Sequence, residues 1–221
     1  MATRYSSLDG YVYKNTTTGF SNTREATTGN LSDTTIGAAG AFSSMTQVKA
    51  GPGRFGSTNY SIYRSFYRFD VSDLNNVDRV KILIRGYSAN SGRTIFVKSS
   101  QGSTLSTADF DAIVGWVNDE NNENNVTTYS DLISDSSWST TSTNVITLND
   151  QALEDIRNND FFQCALINYD YDLKNSNPGG NSYDYATGGY YSKKSDGSNS
   201  SYRPYLSYTE LPNDMFLGFS F

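Results

Sequence analysis

The chain reads as an all-β protein, an antiparallel jelly-roll β-sandwich with one or two short helices in its connections. Three observations predict this. Residues 60–71, YSIYRSFYRFDV, alternate with a period of two: Tyr63, Tyr67, Phe69 and Val71 share one face, Arg64, Arg68 and Asp70 the other. Residues 80–85 repeat the rule with Val80, Ile82 and Ile84 inward and Lys81 and Arg85 outward. The two runs are expected to be neighbours in one antiparallel sheet. Around them, many short β-branched and aromatic runs are separated by Gly, Asn, Asp and Ser turns, as in a sandwich.

Taken in order, residues 8–13 (LDGYVY) form a first short strand. Residues 16–44 are rich in Thr, Ser, Gly and Ala, and read as a long connection with at most one short strand. Residues 45–49 are a second short strand. Residues 50–59, with Gly51, Pro52, Gly53 and Gly56, are a turn-rich excursion. A strand at 95–98 follows the turn at Asn90. Ser106 and Asp109 resemble a capping box, and Phe110, Ile113, Val114 and Val117 follow at helical spacing, which predicts a helix over 108–116. Residues 126–133 and 144–148 are strand candidates joined by a Ser/Thr-rich loop carrying Trp138. Asn149 or Asp150 caps a helix over 151–158 with Leu153 and Ile156 inward. Residues 161–169, FFQCALINY, are apolar enough for a strand buried on both faces or central in a sheet. Residues 183–192 form a Tyr-dense strand, 193–201 a polar hairpin loop around Asp196-Gly197, and 205–209 the closing strand. Residues 1–210 are one sandwich domain, and 211–221 (LPNDMFLGFSF) are an apolar tail.

Composition excludes several chemistries. The 221 residues contain no histidine, which removes Ser-His-Asp and Cys-His machinery and the commonest zinc ligand. The single cysteine, Cys164, lies in an apolar run and reads as a small buried hydrophobe. The net charge of −6 comes with no basic stretch, so no nucleic-acid partner is expected. No apolar run reaches membrane-spanning length, and MATRYSSLDG lacks the apolar core of a signal peptide. The Tyr-, Ser-, Thr-, Asn- and Gly-rich composition nevertheless suits an extracellular protein. A virus particle reconciles the two, because its proteins are made in the host cytoplasm and reach the outside by lysis.

The order of the pieces resembles the DNRLRE-type jelly roll, akin to carbohydrate-binding-module sandwiches. Leu8-Asp9-Gly10-Tyr11-Val12 resembles the family's opening strand, and Gln47-Val48-Lys49 its short second strand. Arg64-Ser65-Phe66-Tyr67-Arg68-Phe69-Asp70-Val71, followed by Val80-Lys81-Ile82-Leu83-Ile84, is similar to its most typical run. Residues 144–150 with the following helix, then Tyr190-Tyr191-Ser192 and Arg203-Pro204-Tyr205-Leu206, resemble its late units. The departures are the long 16–44 connection, the Gly-rich insert before Tyr60, Ser192-Lys193-Lys194 in place of an acidic strand end, and the added tail. The resemblance implies adhesion or structure rather than catalysis, as in secreted wall proteins and bacteriophage virion proteins.

Three functional readings follow. The first is a non-enzymatic bacteriophage virion subunit: a capsid decoration, head-fibre or tail-appendage protein. Its partners would be copies of itself and other virion proteins, met through Leu211, Met215, Phe216, Leu217, Phe219 and Phe221 of the tail. The second is a carbohydrate-binding adhesion module for host surface glycan, with Trp138, Tyr183, Tyr185, Tyr190 and Tyr191 as stacking rings. The third is a polysaccharide hydrolase using a carboxylate pair such as Asp119/Glu120, Asp109/Asp111 or Glu154/Asp155, whose spacing carries no signal. No cofactor is expected. A structural calcium would have to use Asp9, Asp170, Asp172 or Asp184, which lack EF-hand spacing and read more simply as solvated loop carboxylates.

Overall fold

The structure is a computed structural model that describes residues 1–33, 44–52, 58–179, 183–189 and 202–212. Among these, eleven strands and two short helices form a β-sandwich in which every strand pair is antiparallel. The elements are β1 (Ala2–Tyr5), β2 (Leu8–Thr16), α1 (Phe20–Arg24), β3 (Leu31–Asp33), β4 (Ser44–Pro52), β5 (Thr58–Asp70), β6 (Val77–Asn90), β7 (Thr94–Lys98), β8 (Thr143–Thr147), α2 (Asp150–Asn158), β9 (Phe161–Asn168), β10 (Tyr183–Gly189) and β11 (Tyr205–Glu210). One layer runs β1-β11-β6-β8. The other is built on β5, which pairs with β2 along its length, with β4 over its first half and with β9 over its second. β7 extends that layer beyond β9, and β10 bridges β4 to the far end of β6.

The two strongest strand signals do not pair. β5 and β6 are consecutive, yet they lie in opposite layers, joined by the turn that follows Val71. The core explains why. Tyr67, Phe69 and Val71 from β5 and its end pack against Val80, Ile82 and Ile84 of β6, joined by Phe96, Tyr129, Phe162, Leu166 and Ile156. Two apolar faces that must meet are better served by stacking than by pairing edge to edge.

The opposite face of β5 is not a solvent face either. Tyr60, Ile62 and Phe66 belong to a second core with Phe20, Val97, Phe110, Ile113, Ala165, Ile167 and Leu173. Arg64, expected outward, is fully buried there. α1 and the long 99–133 connection cover this face. β9 is buried on both sides as its composition predicts, with Cys164 and Leu166 in one core and Ala165 and Ile167 in the other.

The helix expected over 108–116 does not form. Ser106 and Asp109 make the capping box, but the helical turn ends after Thr107–Asp109. Gly115 adopts φ +85°, and a Cβ there would fall 2.1 Å from the Asn125 carbonyl oxygen, so the chain turns where the helix would run on. Residues 112–114 instead bond to the end of β7 and the chain just after it, through Val114 N–H to Lys98 O and Ser100 N–H to Ala112 O. The strand expected over 126–133 is reduced to bridges, because it divides its hydrogen bonds between Thr94 and Val97 on one side and Leu148 on the other. β1, which the sequence did not announce, completes one layer by pairing Ala2 with Tyr208. The α2 expectation holds: Asn149 accepts from Ala152 N–H at 3.0 Å.

Candidate functional site

A cleft of about 300 Å³ opens beside β8, with Asp131, Leu132 and Ile133 on one wall and Trp138, Asn144, Val145 and Thr147 on the other. Its walls are rigidly positioned. Ile133 exchanges backbone hydrogen bonds with Thr94 at 2.9 and 2.8 Å. Ser134 caps the single 3-10 turn Asp135–Ser137, and the Trp138 N–H closes it on Asp135 O at 3.1 Å. The following loop is held by Asn144, whose Oδ1 accepts from Ser139 N–H at 2.7 Å and whose Nδ2 donates to Ser139 O at 2.9 Å. A Cβ on Gly86 would fall 1.7 Å from Ser139 O, so glycine is what lets this loop cross β6.

Trp138 does not match the exposed platform that sugar stacking requires. It is only 5% exposed and belongs to the main core. The apolar surface at the cleft comes from Leu132 and Val145, which are 39% and 55% exposed. Nor are the described tyrosines brought to Trp138. Tyr183 and Tyr185 lie on β10 opposite Ala50 and Val48, while it is Gly189 that pairs with Gly86 near the Trp138 loop. Tyr183 and Gly189 are six positions apart along the strand, about 20 Å. Tyr190 and Tyr191 lie outside the described residues.

The candidate calcium carboxylates have other partners. Asp172 is fully buried and receives a bidentate pair from Arg64, Nε to Oδ2 and Nη2 to Oδ1, both at 2.8 Å. Asp170 is held by Arg93, and Asp9 accepts from Ser6 Oγ. Asp184 lies on β10, and its side chain is outside the described set. Among the described residues no group of three or more potential metal ligands assembles. Of the carboxylate pairs, Asp109 is the cap acceptor and Asp155 binds Lys98 Nζ and the Tyr129 hydroxyl. Burial first, and then the hydrogen bond to Asp155, hold the Tyr129 hydroxyl far above its ordinary range.

Sequence reasoning missed a polar network under the second core. Arg64 also donates to the carbonyls of Phe110 and Arg24 at 2.8 and 3.0 Å. Its guanidinium lies 4.3 Å from the Phe110 ring and 4.2 Å from the Trp116 ring. Arg24 lies 4.4 Å from the same Trp116 ring and donates to the carbonyls of Asp172 and Glu120. Such stacking suits the weakly hydrated guanidinium plane. Burial pulls the Arg24 proton affinity below its usual range. Beside it, the Glu25 carboxyl is pushed up, first by burial and then by its Asp119 neighbour. Arg64 and Arg24 look like surface charges in sequence; for Arg64 the apolar Ile62 and Phe66 two positions away hint otherwise, and for Arg24 no such pair exists.

At the other end of the sandwich, the chain leaves β11 at a fixed point. Leu211 N–H donates to Asn76 O, and Asn76 Nδ2 donates to Leu211 O, both at 3.0 Å. Met215, Phe216, Leu217, Phe219 and Phe221 lie outside the described residues. No family model matches the chain, and no curated protein matches it.

Proposed function

We propose that this chain is a non-enzymatic structural subunit of a bacteriophage particle: a capsid decoration, head-fibre or tail-appendage protein that assembles through its sandwich and its apolar C-terminal tail. The observation that carries this is the anchoring of Leu211 on Asn76. β11 is paired on both sides, by β1 and β6, as far as Tyr208, and its last two residues pair with β6 before the tail departs. Five large apolar side chains then follow, all after the single acidic residue, Asp214. Such a segment gains about 1.5–3 kcal/mol per side chain buried, and a neighbouring subunit supplies the surface. Engagement of Asp170, Asp172 and Asp155 by Arg or Lys side chains supports a structural role over a hydrolytic one.

The test is deletion of residues 211–221. The truncated protein should keep its far-ultraviolet dichroism and lose oligomeric order in light scattering, and it should be depleted from purified particles. If it assembles and binds particles as the full chain does, the reading fails. A second reading, a module for host surface glycan, is favoured by the polar groups of Asp131, Ser137, Asn144 and Thr147 around the cleft. Specific binding on a glycan array, lost on changing Asp131 or Thr147, would establish it.

A further inference from the structure

We infer that the free edge of β8, with the cleft beside it, is the acceptor for the C-terminal tail of a second copy of this chain, which adds as an antiparallel strand. This rests on the assembly reading above and names the surface that the tail meets.

The register identifies which backbone groups face away from β6. Gly86 N–H donates to Ser142 O, and Leu148 N–H donates to Val80 O, so these are hydrogen-bonded pairs of the β6–β8 ladder. In an antiparallel ladder such pairs alternate with non-bonded ones. Asn144 and Ile146 therefore turn their N–H and C=O groups toward β6, and Thr143, Val145 and Thr147 turn theirs away from it. Among the described residues no strand pairs with that edge; its far end alone is met, beyond Thr147, by the Ser130–Leu148 bridge and by Asn149 N–H donating to Tyr129 O. Exposed edges are normally blunted by charge, proline or a cover. This one reads TNVIT, with neither a charge nor a proline, whereas β1 at the opposite edge of the layer carries Arg4. The cleft beside it offers apolar surface from Leu132 and Val145.

The tail has the complementary pattern. Met215, Leu217, Phe219 and Phe221 fall on one side of a period-two repeat, and Phe216, Gly218 and Ser220 on the other, with no charge after Asp214. Strand addition uses such a segment, with main-chain bonds for affinity and alternate side chains for specificity.

Length decides whose tail it is. Glu210 pairs with Val77, and Thr147 of β8 pairs with Lys81, so β8 ends near the point where the tail starts. To reach the free edge of its own β8, the tail must pass β6 and β8 and double back, roughly 20 Å at ~4.8 Å per strand and ~3.3 Å per residue. α2 lies across that end, with Arg157 donating to Val77 O. The crossing would consume about six residues at ~3.5 Å each, leaving too few of 212–221 to match β8. A second copy's tail keeps its whole length.

The test uses full-length chains. Val145→Cys and Phe219→Cys variants, mixed and mildly oxidised, should give a disulfide-linked pair at least tenfold more abundant than Glu154→Cys mixed with Phe219→Cys. The native Cys164 is buried and does not compete. Val145→Pro removes an outward N–H without touching the β6 ladder, and should lower the oligomeric state as tail deletion does. Cross-linking at 145 no better than at 154, while tail deletion still disrupts assembly, would overturn this acceptor and leave the assembly reading standing. A cross-link that forms only within a Val145→Cys/Phe219→Cys double variant would show that the chain's own tail covers the edge, and would also overturn it. A full-length protein whose assembly is indifferent to tail deletion would overturn both.

Discussion

Arg64 concentrates the physics of this molecule at the residue scale. A fully buried guanidinium is tolerated because Asp172 takes two of its hydrogen bonds, two carbonyls take others, and two aromatic rings stack against it. Removing one partner of a buried pair strands the other charge. Arg64→Ala should therefore cost about 3–5 kcal/mol in urea denaturation. The double variant Arg64→Leu/Asp172→Leu should lose clearly less than the sum of the single changes; strict additivity would mean the two charges are not coupled. Glu25 makes a second prediction. Its ordinary value is 4.5, and in the fold its proton is held more tightly. The folded state keeps that proton after the unfolded chain has lost it, so stability falls as pH rises from 4.5 through the raised value. Glu25→Gln should raise the melting temperature at neutral pH, and the gap to wild type should close below pH 4.5. A gap that widens in acid would refute the sign.

At the element scale, β5 is the strand with two cores. Its sequence predicts one buried face, and the structure buries both. Phe69→Ala and Phe66→Ala lie on opposite faces, and each should cost about 3–5 kcal/mol. A loss under ~1 kcal/mol for Phe66 in chemical denaturation would show that the outer layer does not pack. β6 makes a different demand, at Gly86. Gly86→Ala places a methyl on Ser139 O, and overpacking of this kind costs about 1–3 kcal/mol. Because Ser139 adjoins Trp138, the tryptophan fluorescence should change with it. An unchanged spectrum and midpoint would mean the loop yields freely. The missing helix after Asp109 belongs to this scale too: apolar residues at helical spacing served an irregular cover instead, because Gly115 turns the chain and β7 captures its backbone.

At the scale of the whole molecule, the candidate calcium carboxylates whose side chains are described hold arginines or a hydroxyl. Excess chelator should therefore leave the thermal midpoint in place. A fall that calcium restores would assign a metal to this sandwich. The layers are assembled from distant parts of the chain, with β1 pairing β11 and β2 pairing β5. No local pattern announces such pairings, since register is set by which faces must be buried together.

What could be read beforehand follows from this. Period-two alternation named the strands around Phe69 and Ile82, uniform apolarity named β9 as buried on both sides, and Asn149 named the start of α2, because each signal lies within a few residues of its own cause. Of the candidate site, Trp138 was legible as a residue to watch, but its burial was not. Tertiary structure alone decided that β5 and β6 face each other across the core, that Arg64 and Arg24 lie inside, and that among the described residues no strand pairs with the outer edge of β8. Those outcomes depend on what the rest of the chain lays against each strand, and the energy of burial is settled only when the second surface arrives.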